Sequence, residues 1–186
     1  VKDVFDQGPL MFTGRNLDVA VDGQGWIALQ LPDGSEAYTR AGSLDVNVNG
    51  LLQTKGGHTV MGDGGPLNIP PDNDIEIAPD GTVSVIPTFG ARNSANAVGT
   101  IKLVNPPEAD LVRGADGLFR LRSNQPAPAD ANVRLASGTL EGSNVNVADA
   151  MVNLISLSRQ FEMQIKLLQT ADLNARQADQ IISLSR

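Results

Sequence analysis

One uninterrupted helical stretch at the carboxy-terminal end constrains this chain more than any other feature. Residues 147–184 contain neither Pro nor Gly. Apolar or small side chains recur there in steps of three and four residues, and the average of about 3.5 is typical of coiled coils. At about 1.5 Å per residue, a continuous helix would measure about 57 Å. A β-domain of this size cannot cover that length, so the pattern predicts packing against other helices.

The predicted helix-packing positions are the recurring side chains without Ser158, which also recurs at this spacing, and with Ile155 added from a second stripe. These positions are Val147, Met151, Leu154, Ile155, Phe161, Ile165, Leu168, Ala171, Ala175, Ala178 and Ile182. Ile155, Leu157 and Leu167 lie off the main stripe, so we expect the first half of the helix to contact helices on two sides. The alanines of the second half permit close helix approach.

The region from about Gly14 to Gly138 has the texture of an all-β domain. Pairs of Asp or Asn followed by Gly, which suit tight hairpin turns, recur along it. Between them lie alternating or β-branched runs at 17–21, 26–31, 75–78, 82–86, 100–104 and 118–122. Many short segments without a helical period predict a mainly β fold. We expect a compact β-sandwich or open barrel of short antiparallel strands, followed by the one long helix.

Three regions are therefore predicted. Residues 1–13 form an extended approach segment, 14–138 the all-β domain, and 139–186 a linker turn and the long amphipathic helix. Residues 123–132 are expected to be a surface loop, and Asn144 or Asn146 is the predicted helix N-cap. Because the chain begins at Val1 rather than Met, we expect the true amino terminus to be missing.

Composition narrows the class of function. The formal net charge is -7, and no run of basic residues could follow a phosphate backbone, which argues against nucleic acid as a partner. The absence of cysteine excludes a disulfide scaffold, thiolate metal sites and a cysteine nucleophile. No stretch of about 18 residues is free of charge, so we expect no membrane insertion.

Candidate sites for chemistry are weak. His58 is the only histidine and lies in a Gly-rich turn region, where a structural role is expected. Asp72, Asp74 and Glu76 alternate like a calcium loop but lack the required Gly, so solvent-facing strand positions are expected. We predict no catalytic residue, metal site, cofactor or small-molecule substrate.

A carbohydrate-binding or carbohydrate-cleaving β-domain is the alternative from another class. Trp26 and Tyr38 could stack on a sugar, and some carboxylate pair could lie at glycosidase separation. The helix would then serve only for oligomerisation. Both aromatic residues occupy alternating strand segments, for which core burial is expected.

Two segments carry a specific resemblance. Residues 13–70 contain TGRNLDVA at 13–20, YTRAG at 38–42 and GPLNIP at 65–70. This segment resembles the shared body of bacterial flagellar rod and hook proteins. Residues 140–164, which begin LEGSNVN, resemble the carboxy-terminal signature of the same family, and both segments occur in the family's order. Within the family, residues 161–164 and 170–185 look most like the proximal rod members.

The resemblance implies a structural subunit of the flagellar basal-body rod in the periplasm. Such subunits assemble helically with copies of themselves and neighbouring rod proteins, transmit torque from motor to hook, are exported by the flagellar type III apparatus and catalyse nothing. The family pairs its carboxy-terminal helix with an amino-terminal one that has no counterpart in this sequence. Asn16 and Trp26 depart from the commoner Pro and Phe. A distal rod or hook subunit is the nearer alternative.

Overall fold

A computed structural model of the chain describes residues 5, 7–88, 95–144 and 147–184, with the backbone alone described for 147–150 and 172–184. The chain divides into two compact units between Asn144 and Val145. The first unit contains the strands and the second contains the long helix.

The first unit is built from short strands and one 3-10 helix, Glu108–Asp110. In chain order the strands are β1 (Leu10–Phe12), β2 (Val19–Asp22), β3 (Trp26–Gln30), β4 (Glu36–Thr39), β5 (Leu44–Val46), β6 (Leu52–Thr54), β7 (Thr59–Gly62), β8 (Gly65–Pro66), β9 (Asn73–Ile77), β10 (Thr82–Pro87), β11 (Asn96–Thr100), β12 (Leu103–Val104), β13 (Leu111–Arg113), β14 (Phe119–Leu121), β15 (Arg134–Ser137) and β16 (Thr139–Glu141).

The strands pair antiparallel in four sheets. The largest follows the order β13-β14-β4-β3-β7-β6-β5, with β12 on β3 and β8 on β7. A three-stranded sheet has the order β11-β10-β9, and β15 pairs with β2 and β1 with β16 in two-stranded sheets. Among the described residues these sheets do not close into a barrel. The predicted mainly β domain of short antiparallel strands followed by one helix is confirmed.

The run at 100–104 is two strands rather than one. β11 ends at Thr100 and pairs with β10, whereas β12 begins at Leu103 and pairs with β3. Between them, Ile101 is buried and forms a bridge with Gly62. The chain therefore changes sheets at Ile101, whose side chain lies in the larger apolar cluster.

Two apolar clusters fill the first unit. The larger consists of Val, Ile, Leu and Ala side chains from most of the strands. The smaller contains Trp26, Tyr38 and Val104, with Phe119 and Phe5 against it. The expected burial of Trp26 and Tyr38 is thus observed.

The segment 123–132 is only partly the surface loop that was expected. Ala127 is buried in the smaller cluster. Its backbone N–H donates a hydrogen bond of 2.8 Å to the Tyr38 hydroxyl oxygen. The loop is fixed because the tyrosine supplies an acceptor inside the core.

The second unit is the single helix α1, Val147–Leu184. Its bounds agree with the stretch free of Pro and Gly, which confirms the predicted helix. Asn146 lies outside the described residues, so the N-cap assignment stays a prediction. None of the helical segments described is apolar over a length that could cross a membrane.

Candidate assembly surface on the long helix

The described side chains of α1, residues 151–171, are all exposed. Among the large apolar ones at the predicted helix-packing positions, the exposed fraction runs from 39% at Ile165 to 71% at Leu168. Met151, Leu154, Ile155 and Phe161 fall between these values. Large apolar side chains exposed together in one segment make it a candidate interaction surface.

The remaining predicted positions are also on this helix. Ala171 is exposed. The backbone of Val147, Ala175, Ala178 and Ile182 lies on α1, and their side chains are outside the described residues. The structure therefore describes the amino-terminal half of the predicted surface in atomic detail.

Helical geometry gathers most of the described positions on one side. Each residue of an α-helix rotates by about 100°, so Met151, Leu154, Phe161, Ile165 and Leu168 fall within an arc of about 100°. Ile155 lies about 40° beyond its edge. We call the five residues within this arc the main stripe. Met151 and Leu154 are three residues apart, and Phe161, Ile165 and Leu168 follow one another at four and three residues, so the side chains within each group are neighbours along the helix.

A second apolar face lies across the helix. Val152, Met163 and Leu167 are exposed and point roughly opposite to the main stripe, as the same rotation per residue dictates. Of these three residues, only Leu167 is predicted from the sequence as part of a second stripe. Placing every apolar residue on a helical projection, rather than following one seam, would have found the other two. A helix that is apolar on more than one side is typical of burial between neighbours.

Polar side chains of α1 bond to their own backbone. Ser156 Oγ donates to the Asn153 carbonyl at 2.9 Å, and Thr170 Oγ1 donates to the Lys166 carbonyl at 2.8 Å. Such bonds satisfy the hydroxyl groups within the helix. The capacity of this surface to attract a partner therefore resides mainly in its apolar side chains, each contributing about 1.5–3 kcal/mol when fully buried.

The described residues offer little for chemistry. They contain no group of three His, Cys, Asp or Glu side chains that could hold a metal ion. The backbones of His58 and Thr54 are hydrogen-bonded within the Gly-rich turn. The Thr54 N–H donates to the His58 carbonyl at 2.8 Å. Asp74 and Glu76 are exposed on β9, as expected, whereas Asp72 is exposed but precedes the strand.

A surface cavity of about 700 Å³ tests the carbohydrate alternative. Asp110 and Asp130 contribute carboxylates to its lining, together with Pro106, Leu121 and other residues. The described lining includes no aromatic ring on which a sugar could stack, and Trp26 and Tyr38 are buried in the core. This cavity therefore does not favour carbohydrate binding.

Two segments of the chain match known protein families. Residues 136–181 match the family described as flagellar basal body rod FlgEFG protein C-terminal, and residues 20–85 match the flagellar hook protein FlgE/F/G D1 domain. The first match spans β16 and most of α1.

Individual relatives extend the similarity over nearly the whole chain. The flagellar basal-body rod protein FlgF of Escherichia coli (strain K12) is 44% identical over 184 residues, which are 96% of this chain and 73% of the relative. The FlgF protein of Salmonella typhimurium is 42% identical with the same coverage. A FlgG rod protein of Buchnera aphidicola is 33% identical over 186 residues, 96% of this chain and 70% of the relative. The chain therefore belongs to the FlgE/F/G family of flagellar axial proteins and is a FlgF-like basal-body rod protein.

Proposed function

We propose that the protein is a structural subunit of the proximal rod, in which α1 is buried against helices of neighbouring subunits. The observation that carries this proposal is the exposure of large apolar side chains on both sides of one helix. In an assembled rod these side chains would leave water, and their burial would supply the free energy of association.

The partners in this proposal are copies of the chain and neighbouring rod proteins. The β-domain comprises residues 14–138, and residues 139–186 provide the linker turn and the axial helix, which packs with coiled-coil spacing. The subunit reaches the periplasm by type III export and transmits torque from motor to hook without catalysing a reaction. Support comes from the names of the FlgF and FlgG relatives, which are rod proteins.

A proximal position is favoured over other axial positions by degree of similarity. Two FlgF relatives share 44% and 42% identity with the chain, whereas the FlgG relative from Buchnera shares 33%. Distal rod or hook placement is the alternative outcome when the subunit is located in isolated basal bodies.

Replacing Phe161 with Asp tests the surface directly. A carboxylate at this exposed position of the main stripe costs little in the free subunit but would be desolvated without a partner inside a helix layer. We expect Phe161→Asp, in the full-length protein, to abolish rod assembly and swimming while the first unit stays folded by circular dichroism.

Gln164→Asp is the matched control, because Gln164 is exposed on the same helix and lies outside the main stripe. It places the same charge less than one turn away. We expect this variant to assemble and swim. Normal swimming of the Phe161→Asp strain would refute the proposed surface.

A further inference from the structure

An ion pair joins two sequence segments that are far apart in the chain. Arg40, from the YTRAG segment, donates through Nε to Glu141 Oε2 at 2.7 Å. Glu141 belongs to β16 and to the LEGSNVN segment. The two side chains are only 17% and 10% exposed, so the pair is shielded from solvent. Charge-assisted hydrogen bonds of this length are among the strong ones in proteins.

The other nitrogen atoms of Arg40 donate hydrogen bonds to carbonyls of β2 and of the turn between β2 and β3. Nη1 donates to the Gly25 carbonyl at 3.0 Å, and Nη2 donates to the carbonyls of Gly23 at 3.0 Å and Val21 at 3.3 Å. The guanidinium carbon lies 5.9 Å from the centre of the Trp26 ring. Only an arginine can meet this set of acceptors, because a lysine ammonium group lacks the planar fork of donors.

Glu141 extends the same connection to the start of the chain. Its second carboxylate oxygen, Oε1, accepts a hydrogen bond of 2.9 Å from the Gly8 N–H. The Gly142 N–H donates to the Pro9 carbonyl at 2.8 Å. At Gly8 a Cβ atom would lie 2.0 Å from the Gly142 carbonyl oxygen, so the two backbones meet too closely for any side chain.

The sheet formed by β1 and β16 needs such support. It has only two strands, paired from Leu10 with Glu141 to Phe12 with Thr139. A two-stranded ribbon is marginal in water by itself. Leu10, Met11 and Phe12 are also exposed, so burial of the β1 side chains contributes little to holding it.

We propose that Arg40 is the positioning residue that anchors β16, and with it the entry to α1, to the β2–β3 turn. β16 is the last strand before the covalent link between the two units. Resting on the proposed rod function, this anchor passes force from the helix to the β-domain. Without it, β1 and β16 would peel from the first unit before its core yields.

Hydrogen exchange on the purified chain tests the anchor. Removing one partner of a buried ion pair leaves the other charge uncompensated, so Arg40→Met should accelerate exchange of the Gly8 and Gly142 amides about a hundredfold. Amides of β9 and β10, in a different sheet, should keep their protection. If Arg40→Met does not fold, Glu141→Gln keeps the side-chain shape and should accelerate the same amides about tenfold.

Lys102→Met is the matched control. Lys102 pairs with Glu36 at 2.9 Å, and the two side chains are 16% and 7% exposed, a burial similar to that of the Arg40 pair. This variant also strands a buried carboxylate but has no contact with β16. In this variant, we expect the Gly8 and Gly142 amides to exchange no faster than the other amides of the first unit. Equal acceleration in both variants, or none in Arg40→Met, would overturn the anchor.

The transmission of force is tested in cells with full-length Glu141→Gln. We expect rods to assemble, as they would not with Phe161→Asp, and swimming to fall below the parent in viscous medium. Parental swimming under that load would overturn force transmission through the anchor. Because exchange is measured on isolated chains, failure of the rod proposal and failure of the anchor give different results.

Discussion

A single tyrosine connects a strand of the largest sheet to a distant loop. The Tyr38 hydroxyl oxygen accepts a hydrogen bond from the backbone N–H of Ala127, and both residues are buried. Burial raises the pKa of the Tyr38 hydroxyl. The ring therefore acts as core filler and as acceptor at once.

We expect Tyr38→Phe to lower the free energy of unfolding by about 1–3 kcal/mol, since the buried Ala127 N–H would lose its acceptor while the ring volume is kept. Urea denaturation of parent and variant measures the change. Unaltered stability would show that another group can replace the hydroxyl.

The Asp116–Arg120 pair is a second residue-scale case, located in the hairpin between β13 and β14. Hydrogen bonds from the Arg120 side chain lower the pKa of Asp116 from 3.8 to about 2. Because the folded pKa lies below the unfolded one, the pair stabilises the fold above about pH 4, and this contribution is lost as the pH falls towards 2.

Replacing Arg120 with Gln should raise the pKa of the Asp116 carboxyl towards its ordinary value. A carboxyl titration followed by NMR in parent and variant measures this shift. If the Asp116 midpoint is the same in both proteins, the arginine does not hold the carboxylate in its charged form.

At the scale of elements, local sequence patterns predicted where strands and the helix lie better than they predicted which strands pair. α1 lies within the stretch after Gly142 that contains neither Pro nor Gly, and turn residues separate most of the strands. The division at Ile101 could not be predicted, because it depends on which strand lies beside each half of the run. The same holds for Arg40 and Glu141, which are 101 residues apart in the sequence and meet only through the fold.

The predicted helix-packing positions also show what sequence spacing can and cannot predict. The main stripe could be predicted because its spacing is visible in the sequence. Val152 and Met163 were not predicted because they break that spacing, although both are exposed in the structure.

The helix alone should be the weakest element of the isolated chain. An exposed apolar helix gains little from tertiary packing and is stabilised mainly by its own hydrogen bonds. We expect it either to fray at lower urea concentration than the β-sheets or to self-associate as concentration rises. Sedimentation with circular dichroism at several concentrations distinguishes these cases. A monomer with a fully protected helix would contradict this expectation, and Phe161→Asp should suppress any association.

For the whole molecule, two units of different character share one chain. The first has its own core of buried Val, Ile and Leu side chains, whereas the described part of the second has none. A domain that folds by itself and a helix that needs partners are suited to a subunit whose folding and assembly are separate events.

Burial of the main stripe in the rod is the central claim, and cysteine labelling tests it most directly. The chain has no cysteine, so Leu154→Cys introduces a unique thiol at an exposed position of α1. With a maleimide reagent, we predict rapid labelling of the isolated subunit and strong protection of the same thiol in basal bodies from swimming cells. Labelling at the same rate in both states would contradict the account.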